Sequence, residues 1–277
     1  MTVTRKRRSP DDRPPGAQST YTQGMGNDSE IPVDLEPAGQ LPILDDSAVK
    51  RVLCVVAHPD DMEYGASAVV AEWTSRGIEV GYLVLTSGES GIRNLAPAVA
   101  GPLRAEEQRR ACEIVGVADL TILDFPDGLL EPGLALRERI ARHIRRFKPD
   151  VVMTMTWDLE TLWGINHVDH RVAGLAVVDA IRDADNPWLF RTTRPEAGDE
   201  PWSVSWLLVS ESRNTHAIPV SKQSVDLAVA SLGAHEAYLA ALPDHPPPEE
   251  LVTSILDRTG KAAGRDHALG VRAIRMG

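Results

Sequence analysis

The chain has 277 residues, 43% of them hydrophobic, enough to bury the core of one large α/β domain or of a domain with an appendage. Its 29 basic and 40 acidic residues leave a net charge of −11, which argues against non-specific nucleic-acid binding, because that needs basic surface to displace counterions. The two cysteines, Cys54 and Cys112, form no Cys-x-x-Cys motif and read as buried thiols in a reducing compartment, and no apolar run approaches the ~20 residues that span a bilayer.

Residues 1–47 are rich in Pro, Gly, Ser, Asp and Gln and read as a disordered or loosely ordered leader. Arg5-Lys6-Arg7-Arg8 is followed by Ser9-Pro10-Asp11-Asp12 rather than the apolar stretch of a signal peptide, so a cytoplasmic protein is expected. Residues 48–277 read as a single domain. Its first element is the apolar run Arg51 to Ala57, a buried strand that ends directly on His58-Pro59-Asp60-Asp61. A helix over 61–76, stopped by Gly77, leads to a strand over 78–86. A loop bearing Gly and Pro runs from Ser87 to Pro102, then a helix from Leu103 to Val115 and a third strand over 120–123. Leu134 to Phe147 is helical, 150–156 is a fourth strand, and a long loop reaches Asn166. His167-Val168-Asp169-His170 opens the next helix, which runs to about Ala184. Beyond residue 190 the pattern loosens: a strand over 204–209, a short edge segment at 216–220, one helix from Lys222 to Leu242, and a last helix with a tail.

Strands alternating with helices predict an α/β fold, Rossmann-like and doubly wound, with a mostly parallel sheet and helices on both faces. In the order 3-2-1-4 the first and fourth strands are neighbours, and ligands bind where the order reverses, at the carboxyl ends. Both His/Asp clusters fall there. Either motif alone reads equally well as a turn or a helix start; two at the ends of adjacent strands read as one metal site.

His58, Asp61 and His170 form a nitrogen and oxygen ligand set suited to Zn²⁺ and acceptable to Fe²⁺ or another divalent metal. Asp60, beside a ligand but pointing elsewhere, is the expected general base. His167 is expected to stabilise an oxyanion and protonate a leaving amine, and Asp169 to hold a histidine in the right tautomer. Trp157 and Trp163, in the loop before His167, are candidates to wall a substrate pocket and stack on a sugar, or else to pack the long loop or a homo-oligomer interface. His143, His235 and His245 read as surface residues, and His216 as a distant candidate to approach the site.

With these residues in place the chain resembles the LmbE-like or PIG-L-type N-deacetylases over roughly Lys50 to Leu242. The resemblance rests on Ala57-His58-Pro59-Asp60-Asp61-Met62-Glu63, Thr86-Ser87-Gly88-Glu89-Ser90-Gly91, Phe125-Pro126-Asp127-Gly128 and His167-Val168-Asp169-His170-Arg171. It implies a Rossmann-like zinc-dependent deacetylase with the same ligands, base and acid, and it adds Arg93 and Asp127 as contacts to substrate hydroxyls. Two departures stand out: Gly65-Ala66-Ser67-Ala68 replaces a Gly-Cys-Gly-Gly pattern, and Val168 stands where a proline is common. The expected function is hydrolysis of the N-acetyl group of an N-acetylglucosamine-type glycoside or related amino sugar, a small-molecule substrate. Two alternatives stay open: an amidase for a larger acyl group, and a non-catalytic sugar-binding member of the fold.

Overall fold

The structure, a computed structural model, describes residues 40–161, 163–190, 200–210 and 213–276. The expected leader up to residue 39 lies outside them. Residues 40–47, expected to belong to that leader, are packed on the body: Leu41 is buried, the Gln40 side-chain amide donates to Ala263 O, and the Leu44 N–H donates to Ala217 O.

The framework begins with β1 (Arg51–Val56), α1 (Ala66–Ser75), β2 (Glu79–Thr86), α2 (Pro97–Ile114), β3 (Asp119–Phe125), α3 (Leu134–Phe147) and β4 (Val151–Met155). A small hairpin follows, β5 (Glu160–Thr161) and β6 (Gly164–Ile165), then α4 (Val168–Asp185), β7 (Trp206–Ser210), β8 (His216–Pro219), α5 (Lys222–Gly233), α6 (Glu236–Ala240), α7 (Pro248–Ala263) and β9 (Ala268–Arg275). The main sheet has seven strands in the order β3-β2-β1-β4-β7-β9-β8. The first five run parallel, while β9 pairs antiparallel with both β7 and β8. The expected 3-2-1-4 order is present.

Covered on both faces, the central strands are nearly continuous apolar runs, as parallel strands in doubly wound folds are. Period-2 alternation divides β1 between two cores. Val52, Cys54 and Val56 join one face with Val69, Trp73, Val225 and Leu256, and Leu53 and Val55 join the other with Ile140, Ile144, Val177 and Ile181. Cys54 and Cys112 are both buried free thiols.

Four expectations need correction. Helix α2 starts at Pro97, inside the expected loop, because Pro is tolerated at the first helical position. The helix expected over 222–242 is two, broken where His235 turns fully into the interior. The expected C-terminal tail is β9, which completes the sheet. His143 and His235 are buried, not surface residues, and His245 lines a cavity.

His143 makes that burial measurable. Desolvation, then the Arg146 cation, holds its pKa down to about 4, against an opposing effect of Asp119. Its unfolded value is about 6.5, so the unfolded chain takes up a proton first as the pH falls. Stability present above pH 6.5 is therefore lost as the pH drops toward 4, by up to about 3 kcal/mol. Urea unfolding of wild type and His143→Gln between pH 7 and 4.5 should show the shallower pH dependence in the variant; equal slopes would refute the assignment.

Candidate functional site

The site lies at the carboxyl ends of β1 and β4, where the strand order reverses. His58 follows β1 after one residue, and His167 is the N-cap of α4, the helix that returns after β4. The sheet thus joins two motifs over a hundred residues apart.

His58 is held from both sides. Its Nε2 is 3.0 Å from Asp127 Oδ1 and 3.2 Å from Asp169 Oδ2. Both carboxylates are anchored by the backbone: Asp127 accepts from Ser90 N, and Asp169 accepts from Gly128 N and Leu130 N. These anions keep a proton on Nε2 and turn Nδ1 forward. His170 is oriented in the same way by Asn166. The Asn166 amide donates to Thr156 O and Asp158 O, so its Oδ1 faces His170 Nδ1 at 3.0 Å as the acceptor. His170 Nε2 therefore faces forward as a lone pair.

Three acceptor atoms meet in front. His58 Nδ1 is 3.2 Å from His170 Nε2, His170 Nε2 is 3.3 Å from Asp61 Oδ1, and His58 Nδ1 is 3.7 Å from Asp61 Oδ1. Corners of a tetrahedron centred about 2.0–2.2 Å from each ligand atom lie roughly 3.3–3.6 Å apart. Acceptors so close repel one another unless a proton or a cation lies among them. Two imidazoles and a carboxylate suit Zn²⁺ and admit other divalent ions, so the residues present fit a metal. Two further groupings of donor atoms occur among the described residues, His58/His167/His170 and His58/Asp127/Asp169. In the second, backbone N–H groups and the His58 Nε2 proton already satisfy the carboxylates, which makes it a support for His58.

The electrostatics agree. Burial opposes ionisation of Asp61, but the His170 and His58 imidazoles outweigh it and hold the carboxyl well below its usual range. Burial likewise opposes protonation of His58, yet Asp61, Asp127 and Asp169 push its pKa well up. Protons and cations thus compete for this point, and a metal entering it must displace a proton.

Asp60 is 3% exposed and has φ 88°, a left-handed conformation that costs a non-glycine residue about 1–3 kcal/mol. Its N–H donates to Gln108 Oε1, and its Oδ2 lies 3.3 Å from Arg104 Nη2. Burial pushes its carboxyl up, against the pull of Arg104 and with the help of neighbouring Asp61. His167 accepts a bond at Nδ1 from Asp169 N, which leaves the proton of the neutral ring on Nε2. Burial, then the neighbouring His58, holds its pKa down. Its ring centroid lies 5.3 Å from that of His58 and 5.6 Å from that of His170.

The structure gathers His58, Asp60, Asp61, Asp127, His167, Asp169 and His170. Trp163 lines the cavity in front of them, a space of about 530 Å³. Trp157 does not line it; its ring packs in the core under α4, with the Arg272 guanidinium 5.8 Å from the centroid. Arg93 is exposed and not part of the wall, and His216 lies on the edge strand β8. Asp127 lines the cavity, but each of its carboxylate oxygens already has a partner, His58 or Ser90 N.

Arg104, Gln108 and Asn166 escaped the sequence reading. Arg104 is buried in α2 and donates to Gly88 O and Pro59 O, tying the glycine-rich turn to the His58-Pro59 turn. Its sequence signal was indirect: Gly88 and Gly91 are glycines because a Cβ at either would stand 2.2 or 2.4 Å from the guanidinium. Asn166 lies just before the N-cap of α4, where the turn rather than helical spacing brings it to His170, so the sequence carried no periodic signal for it.

Residues 53–181 match the model of the GlcNAc-PI de-N-acetylase family, PIG-L. The chain is 28% identical over 236 residues to the diacetylchitobiose deacetylase of Thermococcus kodakarensis, covering 82% of this chain and 84% of that one. It is also 28% identical to the 1D-myo-inositol 2-acetamido-2-deoxy-alpha-D-glucopyranoside deacetylase of Kineococcus radiotolerans, covering 96% and 82% of the two chains. The solved N,N'-diacetylchitobiose deacetylase of Pyrococcus horikoshii superposes with a TM-score of 0.71 at 20% identity, covering 83% of this chain and 85% of that one, and so shares the fold.

Gly88→Ala tests the Arg104 tie. It places a methyl group against a buried guanidinium and also meets the left-handed φ of 62°. A loss of about 1–3 kcal/mol is expected in chemical denaturation. A variant as stable as wild type would show that the guanidinium is not fixed there.

Proposed function

We propose that this chain, whose residues 53–181 match the PIG-L family model, is a metal-dependent hydrolase that removes the N-acetyl group from an N-acetylglucosamine-type amino sugar. Its deacetylase relatives support the reaction class. The observation that carries the reading is the convergence of His58 Nδ1, Asp61 Oδ1 and His170 Nε2, with both imidazoles oriented from behind.

Those three side chains would hold the cation, with zinc the best match to the set. A divalent ion there supplies Lewis acidity, making water nucleophilic near neutral pH and polarising an acyl oxygen. The protein's own groups move the protons. Asp60, with basicity raised by burial, takes a proton from the attacking water and can return it to the amine nitrogen as the amide bond breaks. Arg104 keeps that carboxylate aimed and limits how far its basicity rises. His167, neutral and protonated on Nε2, donates a hydrogen bond to the acyl oxygen as it becomes negative. His167, exposed at the N-cap of α4, is the second candidate to protonate the leaving amine. Asp127 and Asp169 act through His58, and Asn166 through His170.

Four variants separate these roles. His170→Ala should lose most bound zinc by elemental analysis; stoichiometric retention would show that the ligand set is wrong. Asp60→Asn and His167→Ala should keep the metal and lose acetate release, Asp60→Asn by roughly 10²–10⁴-fold. Wild-type turnover in Asp60→Asn would remove the base from the scheme, and metal loss in His167→Ala would make that histidine a ligand. Asn166→Ala should weaken metal binding by about 10–100-fold in calorimetric titration, and an unchanged affinity would leave the orientation of His170 to other contacts.

Among the described residues no helix is long and apolar enough to cross a membrane.

A further inference from the structure

The cavity is chemically divided. Its inner end is the His/Asp centre with Arg104, Ser90 and the glycines of two turns; its outer wall is apolar and aromatic. Tyr64, Tyr238, Pro246, Leu251 and Ile255 form that wall, and Met155 and Trp163 also line the cavity. Apart from Tyr64, the wall comes from α6, α7 and the turn between them, beyond the segment that matches the family model. It is therefore a feature of this chain's C-terminal third.

The few polar atoms of the wall are already engaged. The Tyr64 hydroxyl lies 3.1 Å from His245 Nε2, and His245 Nδ1 lies 2.7 Å from Pro246 O. The imidazole thus donates from Nδ1 and accepts the phenol at Nε2, and the two rings meet edge-on at 5.7 Å between centroids. What this pair offers a ligand is ring surface. One face of Tyr238 is likewise taken, by the Arg104 guanidinium at 4.1 Å from its centroid.

No lysine, and no arginine other than Arg104, lines the cavity among the described residues. Arg104 donates to Gly88 O and Pro59 O, and its Nη2 lies 3.3 Å from Asp60 Oδ2. An anionic group at the wall would therefore meet three carboxylates, Asp60, Asp61 and Asp127, and only one lysine or arginine cation, Arg104, whose charge is shared with Asp60. A polyol would lose water hydrogen bonds to a wall that returns few. Trp163, 57% exposed, sits on the β5–β6 hairpin segment that also exposes Leu159 and Ile165, so apolar surface continues at this mouth. A cavity of about 530 Å³ is large enough for a sugar with a substituent.

We infer that the outer wall is a subsite for a neutral, apolar aglycone, so that the substrate is an N-acetylated amino sugar bearing a hydrophobic or aromatic group. The inference rests on the deacetylase reading above. It makes Leu251, Ile255 and the Tyr64–His245 pair specificity residues, while the inner centre carries the reaction.

The test measures acetate release by the zinc-loaded full chain from N-acetylglucosaminides of one anomeric form with hexyl, phenyl, myo-inositol and malate aglycones, with free N-acetylglucosamine alongside. The hexyl and phenyl compounds should show KM values at least about ten-fold below those of the inositol and malate compounds, as burial of a few methylene groups requires. Leu251→Asp should collapse this preference toward unity, and the milder Ile255→Ser, at a partly buried position, should do so in part; melting curves would identify a variant that fails to fold. Equal KM across the panel, or a preference untouched in folded variants, would overturn the subsite and leave the deacetylase intact. Acetate release from no member of the panel would overturn both.

Discussion

The grip on His58 is the interaction on which the rest of the site depends. Two buried carboxylates, Asp127 and Asp169, accept the Nε2–H of its imidazole from behind. The imidazole then has only one face to offer forward, a lone pair aimed at Asp61 and His170. Without that grip, burial alone would weaken the ring as a base, and rotation would scatter the three acceptors. Asn166 repeats the arrangement on His170 with a neutral amide whose orientation two carbonyls fix. Charge on one side and an amide on the other serve the same end: both rings arrive pre-oriented, and a cation need not pay to order them.

The fold explains how so much polarity is buried at one point. Five parallel strands put their carboxyl ends together, and the order reverses between β1 and β4. Loops after β1, β2 and β3 and the start of α4 all open at that edge. They supply His58 to Asp61, Gly88 to Gly91, Asp127, and His167 to His170 respectively. The loops are stitched together: the Glu89 carboxylate accepts from Asp127 N, the Asp127 carboxylate accepts from Ser90 N, and Arg104 bridges the β1 and β2 turns. The strained backbone of Asp60 is held within this mesh by Gln108.

Much of this was legible in the sequence because it is written in short-range patterns. The continuous apolar runs of β1, β2 and β4 announce strands buried on both faces; the first two motifs follow β1 and β2 directly, and the His167 motif opens the helix that returns after β4. Other features were hidden for physical reasons. The strand β9 has Gly270, Arg272 and Arg275 within it, which blur its alternation. Helix α2 contains Pro97, Gly101 and Pro102, which locally argue for a loop; packing prevails, since Gly101 leaves room for Ser87. Trp157 and Trp163 are indistinguishable as loop aromatics, yet one enters the core and the other lines the cavity, and only tertiary structure separates them. The outer wall was illegible for a similar reason: Tyr64 in the turn before α1, Tyr238 in α6 and Leu251 in α7 read as ordinary local residues until the chain folds.

Anomalous diffraction from crystals of the zinc-loaded protein tests the central claim most directly. The account predicts one strong peak about 2.0–2.2 Å from His58 Nδ1, Asp61 Oδ1 and His170 Nε2. A peak on the other side of the ring, bonded to His58 Nε2 with Asp127 and Asp169, would contradict it.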